Sequence, residues 1–269
     1  MFQNPLQIST RPPFRAPRSG SHSDTTVLQL NLGVKNITTN EPPASDTLYS
    51  VASLTKEFTS SAINLIVHGG KLSWDTTIKS LLPEFASQNP DVTNNATILN
   101  LLSHRTGLGV SNQWWYGADG ELLVDPSESI RYFNALPQIA KFRATYKYSN
   151  WNYYLLGKII EKVGGMSYGQ FVEQIIFQPL QMTKSTTQAS AIQRGDLTAP
   201  YAALEDGPFC ELRQPEILDG SIHAAAQAVR TTVSDTIKYA NGLIQAFKYE
   251  SQDERTNSEP VLKLVYHQL

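Results

Sequence analysis

The segment Val51-Ala52-Ser53-Leu54-Thr55-Lys56 puts a hydroxyl and an amine three residues apart at the head of an apolar-periodic run. Phe58, Ala62, Leu65 and Ile66 share one face of that run, and Gly69-Gly70 ends it. This is the pattern of an amphipathic helix with a stop signal. Residues three apart share a helix face, so the Lys56 ammonium comes beside the Ser53 hydroxyl. Ser53 falls in the first turn, where unpaired N–H groups and the helix dipole favour developing negative charge. A serine hydroxyl is a weak nucleophile on its own, and a lysine with a lowered pKa can take its proton. The Ser53 N–H can then serve as one donor to an oxyanion. The ordinary alternative is an N-cap serine and a solvated lysine, and a Ser-x-x-Lys match arises by chance about once in a chain of this size. The rest of the chain has to decide between them.

The 269 residues suffice for one large domain or two small ones, and 41% are hydrophobic, enough for a sizeable core. The formal net charge of −2 shows no basic field for a nucleic-acid or anionic-membrane partner. Cys210 stands alone, which excludes an internal disulfide and a cysteine metal cluster and suggests a small buried hydrophobe. No run reaches the length of a membrane span, and the N-terminal stretch has no apolar core of a secretory signal. An intracellular location is the resulting expectation.

Residues 1–24 read as a loop or disordered arm, rich in Pro, Arg and Ser from residue 10. The alternation of Leu28, Leu30 and Leu32 predicts a strand over 26–32. A short helix capped by Asp75 or Thr76 ends at Pro83, and another covers 96–102. The long segment that follows carries Trp114 and Trp115, which either line a cleft for an apolar substrate or cover the helices. Helices are expected over 127–136 and 151–163, the latter stopped by Gly164-Gly165. Ser167 caps the next, which Pro179 stops. Ser234-Asp235 opens a last helix with Ile237, Leu243, Ile244 and Phe247 inside.

Tyr148-Ser149-Asn150 sits at the end of the irregular stretch 137–150, just before a helix. A phenol there can relay protons, and an asparagine amide can hold a substrate carbonyl. Tyr132-Phe133-Asn134 and Tyr239-Ala240-Asn241 have the same spacing but fall inside amphipathic helices, where both read as core tyrosines.

These stretches carry a family resemblance. LYSVASLTKEFTSSAINLIVHGGKLSWDTTIKSLLPEF resembles the nucleophile segment of the serine β-lactamase and penicillin-binding-protein superfamily, in particular its class C β-lactamase and esterase branch. LLSHRTGL is similar to that branch's LLSHTSGL signature. KYSNWNYYLLGKIIEKVGGMSYGQFVEQIIFQPLQM and AQAVRTTVSDTIKYANGLI resemble its YSN segment and a later helix, in a form common among fungal members. The matches run in the family's order over residues 45–248. The resemblance implies an α+β, β-lactamase/transpeptidase-like fold. It makes Ser53 the acylated nucleophile and gives Lys56 the task of deprotonating or orienting it. Tyr148 becomes general base for attack and acid for departure, and Asn150 binds substrate or holds Lys56. His104 matches a position of structural use, a hydrogen bond holding the loop. His68 and His223 show no triad or metal partner, so a satisfied or solvated histidine is expected at each. No metal or cofactor is implied.

The family's third motif, Lys-Thr-Gly or His-x-Gly on a strand edging the cleft, is not found before the chain ends at KLVYHQL. Gln181 stands where the family has Gly, and Ala224–Gln227 replaces a usual Gly-Gly pair. The expectation is a predominantly helical domain over 25–269 that lacks its C-terminal strands and helix, with an incomplete antiparallel sheet. The function implied is a serine hydrolase or acyltransferase working through acyl-Ser53 on a small-molecule ester, thioester, lactone or amide, in natural-product metabolism. The alternative is a catalytically impaired remnant or binding module of the same fold.

Overall fold

The computed structural model describes residues 31–109, 116–117, 120–192, 195–203, 209–214, 216–250 and 259–263. The expected arm, most of the 26–32 strand and the Trp114–Trp115 segment lie outside the described residues. Of that strand, residues 31 and 32 are described; neither is extended in a sheet, and Leu32 is exposed.

Helix α6 (Asn150–Gly164) is the centre of the molecule. Its first eight residues are all buried, and Trp151, Leu155, Leu156, Ile159 and Ile160 are fully so. A helix apolar on most of its circumference must be enclosed by other elements. Here α1 (Thr55–His68), α4 (Ile98–Leu102), α7 (Tyr168–Val172) and α8 (Ala224–Gln227) enclose it. Gly165 at φ 69° ends α6, and its N–H donates to the Glu161 carbonyl, a left-handed stop that glycine adopts without steric cost. Against α8 the helix comes close at Gly157, where a Cβ would stand 2.8 Å from that of Ala225.

The short helices α2 (Ile78–Leu81), α3 (Pro90–Asn95) and α5 (Ser129–Asn134) complete the cover. Neither Asp75 nor Thr76 caps α2; Thr77 takes that position without a side-chain bond, because the Thr76 hydroxyl accepts from the Ser73 N–H instead. Thr97 caps α4 and Ser167 caps α7, each through a reciprocal box with the residue three positions on. Past Val172 the chain widens into a π-turn over Glu173–Phe177.

Two antiparallel ribbons of two strands each appear among the described residues. In one, β1 (Tyr49–Ser50) pairs with β4 (Arg230–Thr231), Tyr49 opposite Thr231. In the other, β2 (Tyr201–Ala203) pairs with β3 (Phe209–Glu211) in a stretch without sequence periodicity. Cys210 in β3 is exposed rather than buried, since this ribbon lies outside the core.

The last helix, α9 (Val233–Glu250), departs from expectation in which face it buries. Tyr239, Gly242 and Ala246 are inside and Leu243 packs against the core as expected, while Ile237, Ile244 and Phe247 are 38%, 41% and 56% exposed. Small residues on the buried face let α9 approach closely: a Cβ on Gly242 would meet Leu180 at 2.9 Å. Tyr239 is a core tyrosine, as read, but Tyr132 in α5 is 40% exposed, because that helix turns Phe133 inward instead.

Candidate active site

Ser53 lies two residues before the start of α1, in a 3-10 turn, rather than in the first turn of the helix itself. Ala52–Leu54 form a 3-10 turn that leads into α1 at Thr55, and Ala52 is held at φ 44°. A left-handed alanine costs on the order of 1 kcal/mol or more and persists only where its surroundings fix it. Here they do: the Val51 N–H donates to Val229 O at 3.3 Å, and the β1–β4 pairing holds the two residues before it. The strained turn leaves Ser53 exposed while Thr55 and Lys56 point inward.

The buried side of α1 is stitched to the segment 225–229. Thr55 Oγ1 accepts from the Val229 N–H at 3.1 Å, and Lys56 Nζ donates to Ala226 O at 3.1 Å. Thr59 Oγ1 donates to Ala225 O at 2.6 Å and also bonds the Tyr168 hydroxyl at 2.8 Å. One side-chain bond after another therefore fixes the rotation of α1 and with it the direction of Lys56.

Tyr148 comes from the far side. Its hydroxyl is 2.7 Å from Ser53 Oγ, and Lys56 Nζ reaches the same oxygen at 3.1 Å. The Lys56 ammonium also lies 4.9 Å from the Tyr148 ring centroid and 5.5 Å from that of Tyr153. Burial lowers the Lys56 pKa to about 8, since the charged form loses hydration that this pocket does not return. A lysine so placed is neutral in part near pH 7 to 8, the condition for accepting a proton.

His104 aims Tyr148. Its Nδ1 accepts from the Ser149 N–H at 3.0 Å, and its carbonyl accepts from the Lys147 N–H at 2.8 Å, so the residues on both sides of Tyr148 are tied to one histidine. The ring lies 4.7 Å from that of Tyr148. Burial, and then the Lys56 charge, push its pKa down to about 4. It is therefore neutral, accepting at Nδ1 and carrying its proton on Nε2.

Asn150 is the first residue of α6 and is buried, two positions after Tyr148. His68 is exposed at the end of α1, whereas His223 is fully buried. The structure thus brings Ser53, Lys56 and Tyr148 to one oxygen. Sequence reasoning missed the backbone acceptor Ala226 and the Thr55 and Thr59 stitches, because a backbone partner leaves no mark in the residue pattern.

The chain is similar to known proteins over much of its length. The chain is 29% identical over 222 residues to the unguisins hydrolase ungD' of Aspergillus campestris, covering 77% of this chain and 39% of that protein. It is 30% identical over 158 residues to penicillin-binding protein 4* of Bacillus subtilis, covering 58% and 34%. The chain thus spans well under half the length of these relatives. Among solved structures, a penicillin-binding protein from Bacillus halodurans superposes with a TM-score of 0.66 at 27% identity, over 80% of this chain and 64% of that one. A class C β-lactamase superposes at 0.62 with 23% identity, over 79% and 55%, and shares the fold. The profile of the Beta-lactamase family matches residues 20–267, nearly the whole sequence, and the chain belongs to that family.

Proposed function

We propose that this protein is an acyl-serine hydrolase with Ser53 as nucleophile. The observation that carries it is the convergence of Tyr148 Oη and Lys56 Nζ on Ser53 Oγ at 2.7 and 3.1 Å. Ser53 Oγ attacks a substrate carbonyl as its proton passes to the Lys56–Tyr148 pair. The tetrahedral intermediate then collapses, the proton is handed to the leaving group, and an acyl-Ser53 ester is left. Water, activated by the same pair, completes hydrolysis; an alcohol or amine in its place would make the reaction a transfer. Asn150, two residues after Tyr148 at the head of α6, binds the substrate. The substrate class is a small ester, thioester, lactone or amide. The relative whose name assigns it to unguisins supports a natural-product substrate, and the penicillin-binding relative a peptide-like amide.

Incubation with a fluorophosphonate followed by peptide mass mapping tests this. One covalent adduct on the Ser53 peptide, absent from Ser53→Ala, is the expected result. A folded protein that stays unlabelled, or is labelled elsewhere, supports the non-catalytic remnant in its place.

A further inference from the structure

Tyr153 is buried in α6, one turn past Asn150, and its ring sits behind the residues that converge on Ser53. Lys56 Nζ lies over that ring, 5.5 Å from its centroid, and 4.9 Å from the centroid of Tyr148. The His104 ring packs against Tyr153 at 5.2 Å with 35° between the planes, and against Tyr148 at 4.7 Å with 33°. Lys56 and His104 are therefore each flanked by the same two tyrosine rings. The Tyr153 hydroxyl donates to the Leu102 carbonyl of α4 at 3.3 Å and stands 3.3 Å from Ser60 Oγ of α1. Both contacts are long for a hydroxyl, so the ring face is the part of Tyr153 that serves the site.

A buried ammonium needs something in place of its lost water. Nζ of Lys56 donates to Ser53 Oγ and Ala226 O, and among the described residues no carboxylate pairs with it. The titratable groups around it are His104 after α4, Tyr148 ahead of α6, Tyr153 within α6 and His223 before α8. Burial keeps both histidines neutral and holds the Tyr153 phenol protonated. The face of an aromatic ring is electron-rich and attracts a cation within about 6 Å of its centroid. Two such faces meet the charge that Lys56 takes on with the Ser53 proton. We infer that Tyr153 is a positioning residue whose ring backs Lys56 and His104 together and stabilises the ammonium formed when Lys56 accepts that proton. This rests on the acyl-serine reading above.

The test follows the titration of Lys56 by NMR of its side chain in wild type, Tyr153→Phe and Tyr153→Leu, beside the rate of Ser53 labelling by a fluorophosphonate normalised to the fraction finally labelled. Phe keeps the ring without the hydroxyl; Leu removes the ring. The expected result for Tyr153→Phe is an unmoved midpoint and a rate within about threefold of wild type. Tyr153→Leu is expected to lower the midpoint by about 0.5 pH or more and to slow labelling roughly tenfold or more. A purely structural role would reduce the folded fraction and leave the midpoint in place. A midpoint unmoved or raised in Tyr153→Leu, a midpoint moved as far in Tyr153→Phe, or equal labelling rates in the two variants overturns the inference. If Tyr153→Leu does not fold, pentafluorophenylalanine at position 153, which keeps the ring shape and depletes its face of electrons, replaces it under the same criteria. If the wild type itself does not label, the acyl-serine reading has failed and the Lys56 midpoint alone decides: lowered without the ring face, it supports the ring–ammonium contact; unmoved, it overturns it.

Discussion

The Tyr148 hydroxyl stands 2.7 Å from Ser53 Oγ although 95 residues separate the two. The contact joins the strained turn before α1 to the approach to α6, and it is sensitive to both. Tyr148→Phe removes the hydroxyl while keeping the ring that packs on His104 and Lys56. Acylation of Ser53 by an activated ester is expected to slow by about 10²–10⁴-fold with little change in thermal stability, measured by burst kinetics and calorimetry.

The pH dependence of acylation follows from Lys56. Its pKa of about 8 lies below the ordinary 10.5 because of burial. If the Lys56–Tyr148 pair takes the Ser53 proton as proposed, the rate is expected to rise as pH increases through about 8 and then level off, because the pair can accept a proton only when the amine is neutral. A flat profile between pH 6 and 9 would remove Lys56 from the proton path. The same depressed pKa means that the folded protein holds a cation at a cost, and this is fully felt below pH 8. Lys56→Met is therefore expected to be inactive yet stabilised at pH 7, by about 1–2 kcal/mol after the loss of its hydrogen bonds, as read by urea denaturation.

Two buried histidines make the fold sensitive to acid. His104 and His223 have folded pKa values of about 4 and about 3, below the usual 6.5, both first through burial. The unfolded chain binds these protons first, so stability is full above pH 6.5 and falls as pH drops toward 4. The expected loss is on the order of 2 kcal/mol per histidine, seen as a falling urea midpoint between pH 7 and pH 4. His104→Asn keeps an acceptor and tolerates its φ of 55°, and should flatten that slope. A midpoint that does not move over this range would show both imidazoles to be hydrated.

Gly157 is the point where α6 and α8 touch. The Cβ of Gly157→Ala would have to displace Ala225, and Ala225 O and Ala226 O are the acceptors of Thr59 and Lys56. Destabilisation of about 1–3 kcal/mol is expected, together with a loss of acylation rate larger than the folded fraction accounts for. Calorimetry and active-site titration on one sample separate the two effects.

Much of this was legible in the chain itself. Ser53 and Lys56 are three residues apart, and a helical turn is enough to bring them together. Gly165 as the stop of α6 and Ser167 as the cap of α7 were equally readable, because stops and caps are local. Tyr148 was singled out from two decoys by its loop-to-helix setting alone. Periodicity revealed that α9 has an apolar face but not which face is covered. Val233, Ile237, Ile244 and Phe247 stayed outside because small residues on another side let the helix pack more closely.

Taken alone, the sequence determined the elements and the chemistry they carry: a hydroxyl and an amine on one helix, a phenol at the mouth of another, and the family to which those motifs belong. Tertiary structure decided their meeting. The lysine's acceptor is a backbone carbonyl 170 residues away, and a carbonyl has no signature in sequence. Its lowered pKa comes from burial by α6 and the Ala226 segment, and the aim of Tyr148 comes from a histidine 45 residues before Ser149. Distances of this kind are set by how helices pack, and packing is a property of the whole core rather than of any local run of residues.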